Sequence, residues 1–402
     1  MSDQLLTPKE RSFTVACYAL YLLALAAASS ITIIELSEIV IIISIILFCI
    51  RSRELPYLSV IQYPILAFII TTLILIPFSV NPLESLYENK DLVHLLLFFA
   101  CYIIFSKDIK KAKISLFLLA AGSILMFLKL SMNIIADIST FPLHNGWADY
   151  NRIRSTGLVA MMISTFSLSI FLFSKESTKE RLFYLLMGAL GVFTIFATNT
   201  RSALVGLVGA LIFLAYKFKP ISLLLIPLLC ITGYLLVPQT YQERILEIGS
   251  YKKNIIRIAL WDISLDIIKD YPITGTGRNS LRDVIDNYDD DWNDIGLKED
   301  NPGHSHNNIF QIGMERGLIG LSLWLVYAII PFIYFFKALS LRTISNESRA
   351  IILATITTLI GFHIAGWFDS TFNATEVAII HSMLLAAGLA YASNSLAKDR
   401  LD

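Results

Sequence analysis

The sequence predicts an all-α protein that crosses a membrane many times, because the chain is strongly apolar and is divided into long apolar runs. Hydrophobic residues make up 55% of its 402 residues, charged residues only 16%, and the mean hydropathy is +0.66. A soluble domain of this length carries more charge. The runs are too long and uniform for barrel strands, and a backbone in lipid must satisfy its own hydrogen bonds, so we expect helices.

A helical span needs roughly 20 apolar residues to cross a hydrocarbon core of about 30 Å, and about twelve runs approach that length. They lie near 13–30, 32–50, 60–79, 92–105, 114–132, 157–174, 182–198, 202–217, 220–237, 308–336, 350–367 and 375–392. We therefore expect one membrane domain, with the first spans in residues 1–237, a large polar loop at 238–307 and the last spans in 308–402.

Positive charge alternates between successive connections, and this alternation predicts the orientation. Both tails and the connections at 106–113 and 337–349 are rich in Lys and Arg, whereas those at 80–91 and 368–375 are poor in them. Basic connections stay on the cytoplasmic side. Both termini are therefore expected inside, and the 238–307 loop outside. The formal net charge is zero, so no basic footprint indicates nucleic acid.

The polar loop contains one amphipathic helix, predicted from Asn254 to Asp270. Its apolar positions are Ile255, Ile258, Ala259, Trp261, Leu265 and Ile268. Tyr271-Pro272 ends the helix, and Gly275-Thr276-Gly277 makes a turn. We expect this helix to lie over the membrane domain.

Four arginines on the outer side run against the charge bias, and each therefore suggests a function. They are Arg152, Arg154, Arg201 and Arg257. A guanidinium group holds phosphate through paired N–H donors without losing its charge. Arg201 is the most informative, because it stands at a tight junction between two helices. The alternative is that these arginines pair with outer carboxylates or reach lipid phosphates.

The cluster His304-Ser305-His306-Asn307 supplies the remaining chemistry. His306 is a candidate general base, since imidazole titrates near neutral pH, and Asn307 is a candidate to orient it or to bind sugar hydroxyls. The alternatives are a solvent-exposed histidine, or a metal site formed by His304 and His306 with Asp300, although no established metal-binding spacing occurs. Gly275-x-Gly277 lacks the context of a phosphate loop, so we expect no nucleotide hydrolysis.

Taken together, the short motifs resemble those of the O-antigen ligase family of Gram-negative inner membranes. The motifs are Thr198-x-Thr200-Arg201, Arg257 to Trp261 leading into Asp270-Tyr271-Pro272, Gly275-x-Gly277, His304-x-His306-Asn307 and Glu315-x-Gly317-x-x-Gly320. They recur in the wider superfamily of O-antigen polymerases and protein O-oligosaccharyltransferases. The resemblance spans most of the chain in topology but is specific only at these motifs.

The resemblance implies a GT-C-like glycosyltransferase at the periplasmic face of the inner membrane. Such an enzyme transfers O-antigen polysaccharide en bloc from undecaprenyl pyrophosphate to a sugar hydroxyl of lipid A–core, with inversion and without metal, ATP or another cofactor. By motif match, the essential arginines of the family fall on Arg201 and Arg257, and its essential histidine on His306. Arg154 matches a further arginine of the family more loosely, because Arg152 could take its place in the match. The substrate-binding candidates beside them are Asn307, His304 and Trp261.

Three alternatives stay open at this point. An O-antigen polymerase would use a second lipid-linked glycan as acceptor, and a protein O-oligosaccharyltransferase would use a protein. A secondary transporter belongs to a different class and places ionisable groups near the bilayer midplane. Residues that would serve transport are Glu35, Glu38, His94, Lys129 and His363. The sequence gives no indication of the oligomeric state.

Overall fold

The computed structural model describes residues 7–53, 62–136, 150–236, 239–246, 249–288 and 303–400, and these contain helices and no strand. The α-helices are α1 (Pro8–Ala26), α2 (Ile31–Ser52), α3 (Gln62–Leu75), α4 (Pro82–Glu88), α5 (Leu92–Lys107), α6 (Ile109–Ala136), α7 (Tyr150–Phe173), α8 (Thr178–Thr198), α9 (Arg201–Phe218), α10 (Leu225–Leu236), α11 (Gln239–Leu246), α12 (Tyr251–Asp270), α13 (Leu281–Val284), α14 (Asn308–Leu339), α15 (Asn346–Ala365) and α16 (Thr375–Lys398). Short 3-10 turns lie at Ile76–Phe78, Asn89–Asp91, Pro220–Leu224, Ile285–Asn287 and Thr371–Asn373.

Nine helices within these ranges are long and apolar enough to cross a membrane, which confirms the prediction of an all-α polytopic membrane protein. They are α2, α4 together with α5, α6, α7, α8, α9, α14, α15 and α16. The other three predicted runs also form helices, α1, α3 and α10. Helices α3 and α10 are short, and α1 begins with three charged residues, Lys9, Glu10 and Arg11. The count of about twelve spans stays a prediction.

Large apolar side chains cover the outside of the helical bundle. Ile43, Leu73 and Ile329 are 52%, 50% and 56% exposed, and many other Leu, Ile and Phe side chains resemble them. Apolar surface of this extent is unfavourable in water. It is the surface expected of helices that face lipid tails.

The helices that position the site pack around α15 and α16. Helix α15 packs against both α7 and α9, and α16 packs against α5 and α15. Of the nine candidate spans, helix α16 is the most enclosed. In its apolar stretch 89% of the residues are buried inside the protein, compared with 39% in α2. The connection between α15 and α16 is thereby held beside the N-terminal ends of α7 and α9.

The predicted amphipathic helix is present as α12, which begins one turn earlier than predicted and ends at Asp270. Its fully buried side chains include Leu260, Ile263 and Ile267, which pack with Met314 of α14. Leu265, predicted on the apolar face, is 41% exposed and was wrongly placed. The reason is that the covered side of α12 is centred on Ile263, so Leu265 projects away from it.

Helix α14 is broken at Gly317, where φ is 62° and ψ is −172°. The freed backbone N–H of Leu318 donates to the carbonyl oxygen of Pro272 at 2.7 Å. At Gly275, φ is 66° and an added Cβ would lie 2.4 Å from the backbone nitrogen of Arg316. Both glycines therefore serve one junction, at which the turn after α12 docks against the break in α14.

Candidate active site

A buried carboxylate, Asp369, lies at the centre of the candidate site. It belongs to the connection between α15 and α16 and is 3% exposed. Its Oδ1 accepts hydrogen bonds from Arg154 Nη1 at 3.0 Å and the Ser370 backbone at 2.8 Å, and its Oδ2 accepts one from Ser202 Oγ at 3.2 Å. His306 Nδ1 lies 3.8 Å from Oδ1. Residues from distant parts of the chain thus meet at one carboxylate.

Arg154 also joins this carboxylate to His304, because the same Nη1 donates to His304 Nε2 at 3.0 Å. Burial, with the neighbouring His306 and Arg154, lowers the pKa of His304 to about 3, so its ring is neutral at physiological pH. Burial alone would raise the pKa of Asp369, but His306 and Arg154 hold it well below its usual range. Asp369 is therefore ionised at neutral pH.

The backbone of His306 is in an uncommon conformation that aims its ring at Asp369. Its φ is 53°, in the left-handed region that non-glycine residues seldom adopt. Nδ1 is buried and has no hydrogen-bond partner among the described residues. The side chain nevertheless keeps 24% exposure. Since Nδ1 points at Asp369, the more accessible ring nitrogen is Nε2.

Asn307 begins helix α14 as its N-cap. Its Oδ1 accepts hydrogen bonds from the backbone N–H groups of Ile309 at 2.8 Å and Phe310 at 3.3 Å. Its Nδ2 donates to the carbonyl oxygen of Trp367 at 3.1 Å. Both ends of the Asn307 amide thus have protein partners, which fixes the start of α14 relative to the connection that holds Asp369.

The junction between α8 and α9 presents unused hydrogen-bond donors beside Asp369. Arg201, the first residue of α9, is half-buried and has no hydrogen-bond or ion-pair partner in the described part of the chain. Thr200 is the N-cap residue of α9, but its side chain accepts no hydrogen bond from the backbone N–H groups of that helix. Its Oγ1 donates to Thr198 Oγ1 instead. The buried Nδ2 of Asn199 likewise lacks a partner among the described residues. A guanidinium beside the N-terminal end of a helix favours an anion.

Helix α12 reaches the site through Trp261. Its Nε1 donates to the carbonyl oxygen of Ser305 at 3.1 Å, and its ring centroid lies 5.8 Å from that of Phe310. Arg257 precedes Trp261 by one helical turn, so the two side chains share one face of α12. This face of α12 lies against the segment that carries His304 and His306.

The structure thus brings Arg154 into contact with Asp369 and places a ring nitrogen of His304 and of His306 within 4.8 Å of this carboxylate. Trp261 and Asn307 both bond to Ser305, which lies between the two histidines. The side chain of Arg152 and all of Asp300 lie outside the described residues. The sequence indicates Asp369 only as one of several unranked outward-facing residues that could line the site, and it indicates no role for Ser202. The available signal was that Asp369 is the one acidic residue in the connection at 368–375.

The cluster also contains the donor atoms of a metal site. One ligand atom each from His304, His306 and Asp369 lies within 4.8 Å of the others, so among the described residues Asp369 would be the third ligand. Arg154 Nη1, however, lies 3.0 Å from both His304 Nε2 and Asp369 Oδ1. A divalent cation would have to displace this guanidinium, so the donor set fits an arginine-centred cluster better than a metal centre.

Comparison with known proteins finds one matching family and several similar proteins. The family model of O-antigen ligase matches residues 184–325. A protein of Rickettsia conorii, provisionally named polysaccharide ligase, is 33% identical over 29% of this chain and 31% of its own length. One of Rickettsia typhi with the same provisional name is 28% identical over 69% of this chain and 68% of its own length. A Haemophilus influenzae protein whose name states no function is 27% identical over 54% of this chain and 59% of its own length.

The first of these relatives and the Haemophilus protein are therefore matched over less than two thirds of their length. The family match over 184–325 includes Arg201, Arg257 and His306. It does not include Arg154 or Asp369, which join the site through the fold.

Proposed function

Since this chain belongs to the O-antigen ligase family, we propose that it transfers O-antigen polysaccharide en bloc from undecaprenyl pyrophosphate to a sugar hydroxyl of lipid A–core. The observation that carries the proposal is the grouping of His306, Asp369 and Arg154 beside the partnerless Arg201 at one end of the helical bundle. A base and several phosphate-binding cations are what such a transfer needs.

The donor diphosphate is assigned to Arg201 and the N-terminal end of α9. Arg201 gives up no protein contact within the described residues when it binds phosphate, and the α9 cap leaves backbone N–H groups unused by side chains. Arg257, one turn from Trp261, supplies a second guanidinium from α12. As the bond from the anomeric carbon to the phosphate oxygen breaks, negative charge develops on the diphosphate, and these fixed cations stabilise it.

His306 is assigned as the general base. Its Nε2 accepts the proton of the attacking hydroxyl, and Asp369, 3.8 Å from Nδ1, orients the ring and stabilises the imidazolium that forms. This distance is longer than a hydrogen bond, as is common before substrate binds. The acceptor oxygen bonds to the anomeric carbon as undecaprenyl diphosphate leaves, so a direct displacement inverts that carbon.

The driving force of the proposed reaction is stored in the donor itself. Cleavage of the phosphoester link to the glycan makes ATP unnecessary, and the arginines take the place of a metal at the leaving group. With the charge pattern as predicted, the site faces the periplasm of a bacterial inner membrane and both termini lie in the cytoplasm. Both substrates are amphiphiles, so we expect them to reach the site from the lipid phase.

Complementation tests the proposal in cells. A strain that lacks its O-antigen ligase but makes the donor and the matching core receives wild type, Arg201→Ala, Arg257→Ala or His306→Ala. We expect wild type to restore the lipopolysaccharide ladder on a gel, and each substitution to abolish it at normal expression while unattached lipid-linked polymer accumulates. Losing one such group from a preorganised site lowers the rate by about 10²–10³.

Lys269→Ala is the matched control, because Lys269 lies on the same helix as Arg257 and its side chain is 73% exposed. This variant should keep the ladder. If wild type leaves the core bare although donor and acceptor are present, the ligase proposal fails. A strain whose core carries a single O-unit then tests the polymerase alternative.

A further inference from the structure

A buried cluster of charged groups lies behind the candidate site, with Glu315 of α14 at its centre. Glu315 is 2% exposed. Its oxygens accept hydrogen bonds from Arg278 Nη1 at 3.1 and 3.2 Å, Arg316 Nη1 at 2.7 Å, the Asn279 backbone at 3.1 Å and Gln311 Nε2 at 2.6 Å. A carboxylate with so many donors is fixed in place and ionised.

The same cluster joins three parts of the fold. Arg278, in the turn after α12, also donates to Asp91 Oδ2 at 2.8 Å, next to the start of α5. Arg316 donates to Asn89 Oδ1 at 3.3 Å. Two guanidiniums and two carboxylates balance in charge. Glu315 therefore has a position set by the whole junction rather than by α14 alone.

Gln311 links Glu315 to the candidate site through two hydrogen bonds. It is 3% exposed and lies one helical turn before Glu315. Its Nε2 donates to Glu315, so its Oε1 faces the other way and accepts the backbone N–H of Ser305 at 2.7 Å. A primary amide has one donating and one accepting end. The ionised Glu315 thereby decides which end of Gln311 meets Ser305.

Ser305 stands between the two histidines and is held from several sides. Besides the bond from its N–H to Gln311, its carbonyl oxygen accepts Trp261 Nε1, and its Oγ donates to the Asn307 carbonyl oxygen at 3.0 Å. Its neighbour His306 has a φ of 53°. Such a conformation persists only where surrounding contacts determine it.

We propose that Gln311 is a positioning residue for His306. Glu315 orients the Gln311 amide, the amide holds the backbone of Ser305, and this holds the His306 ring against Asp369. The kinetic part of the proposal rests on the proposed function, whereas the position of the ring does not. The two therefore have separate measurements.

The first measurement follows the ring itself. Purified full-length protein in lipid nanodiscs is treated with diethyl pyrocarbonate, and modification of His306 is followed by peptide mass spectrometry. We expect Gln311→Met to raise the modification rate several-fold. Glu315→Gln should change it in the same direction but less, because the amide of Gln311 is then free to turn over. The control is Thr357→Val, which removes a fully buried hydroxyl bonded only within its own helix, and it should leave the rate unchanged.

The second measurement is glycan transfer by the same samples. If the ring is misplaced, Gln311→Met lowers kcat by about 10–100-fold with KM nearly unchanged, because orientation rather than binding is lost. Where Gln311→Met does not accumulate, Gln311→Asn replaces it, since its amide is one methylene too short to span both partners.

Unchanged His306 modification and unchanged kcat in a folded Gln311 variant would overturn the positioning role. An equal rise in the His306 modification rate in Thr357→Val would also overturn it, because that rise would indicate a general loosening of the helical bundle. If the wild type transfers no glycan, the proposed function fails, and the modification rates alone decide the positioning role.

Discussion

At the scale of single residues, Arg154 and Arg201 lie in different environments, although the charge pattern predicts both on the outer side. Arg154 is 9% exposed and bonded to Asp369 and His304. Arg201 is half-buried and has no partner in the described part of the chain. Sequence reasoning nominated both from their charge and place. It ranked Arg201 first but did not indicate which of the two is buried and paired, because burial and partners depend on residues far away in the chain.

This difference predicts that substitution of Arg154 lowers stability and that substitution of Arg201 does not. Arg201→Ala should leave the melting temperature unchanged and lower the transfer rate by about 10²–10³, with Arg201→Lys recovering part of it. Arg154→Ala should lower both, because it leaves the buried Asp369 charge unpaired at a cost of about 3–5 kcal/mol. Thermal melts and transfer assays on the three variants check this. Equal destabilisation by Arg201→Ala and Arg154→Ala would contradict the assignment.

His304 predicts how stability depends on pH. Its folded pKa of about 3 lies below its ordinary value of 6.5, so between these values the unfolded chain holds one more proton than the folded chain. Stability should therefore fall as pH drops below about 6.5, with a limiting slope near 1.4 kcal/mol per pH unit from this group. Asp369 loses its own contribution only at more acidic pH, below about 3.9.

The matched variant is His304→Gln, whose amide oxygen can still accept from Arg154 but does not titrate. From pH 7 to 5 the melting temperature should fall less for His304→Gln than for wild type. Only wild type loses stability at these pH values through protonation of His304 in the unfolded chain. Parallel curves would show that His304 does not set the acid sensitivity.

At the scale of elements, the sequence predicted the end of α12 at Asp270 but not the side it buries. Periodicity indicates that a helix has an apolar face, and the neighbouring α14 decides where that face is centred, on Ile263 rather than on Leu265. The break at Gly317 was not foreseen, because the predicted apolar run at 308–336 continues across it. Its motif was recognised by resemblance, and its physical reason is the docking of the turn after α12.

Gly317→Ala tests that reason. A Cβ at this position would lie 2.3 Å from the Ile273 carbonyl oxygen, and φ is 62°. We expect a loss of well over 1 kcal/mol in stability, because both the backbone strain and the clash oppose folding. Gly249→Ala is the control, since an added Cβ there meets nothing within 4 Å. Thermal melts that show equal stability for both variants would rule out a required break.

At the scale of the whole molecule, the sequence predicted the class of fold, which the structure confirms, and it nominated the polar loop and adjoining helix ends for the candidate site. Apolar run length and charge alternation are properties of short segments, so they are visible without a structure. The assembly of the site was not predictable, because its central contact joins Arg154 and Asp369, which are 215 positions apart. No spacing rule reaches across several spans.

The predicted orientation can be checked by labelling of single introduced cysteines. Asp286→Cys, in the polar loop, should react with a membrane-impermeant maleimide in intact spheroplasts. Lys110→Cys, in the basic first turn of α6, should react only after permeabilisation. Both side chains are exposed in the structure, so access to the label is set by the membrane. The reverse pattern would place the candidate site in the cytoplasm.

Glycan transfer by the purified protein in nanodiscs is the decisive test of the proposed reaction. The reaction contains undecaprenyl-pyrophosphate-linked O-antigen and lipid A–core, with excess EDTA and no nucleotide, and the product is separated on a gel. We predict that glycan moves to lipid A–core with inversion at the anomeric carbon, and that His306→Ala and Arg201→Ala abolish this transfer. A wild-type reaction that leaves both substrates unchanged, or that proceeds only with added metal ion, would contradict the account.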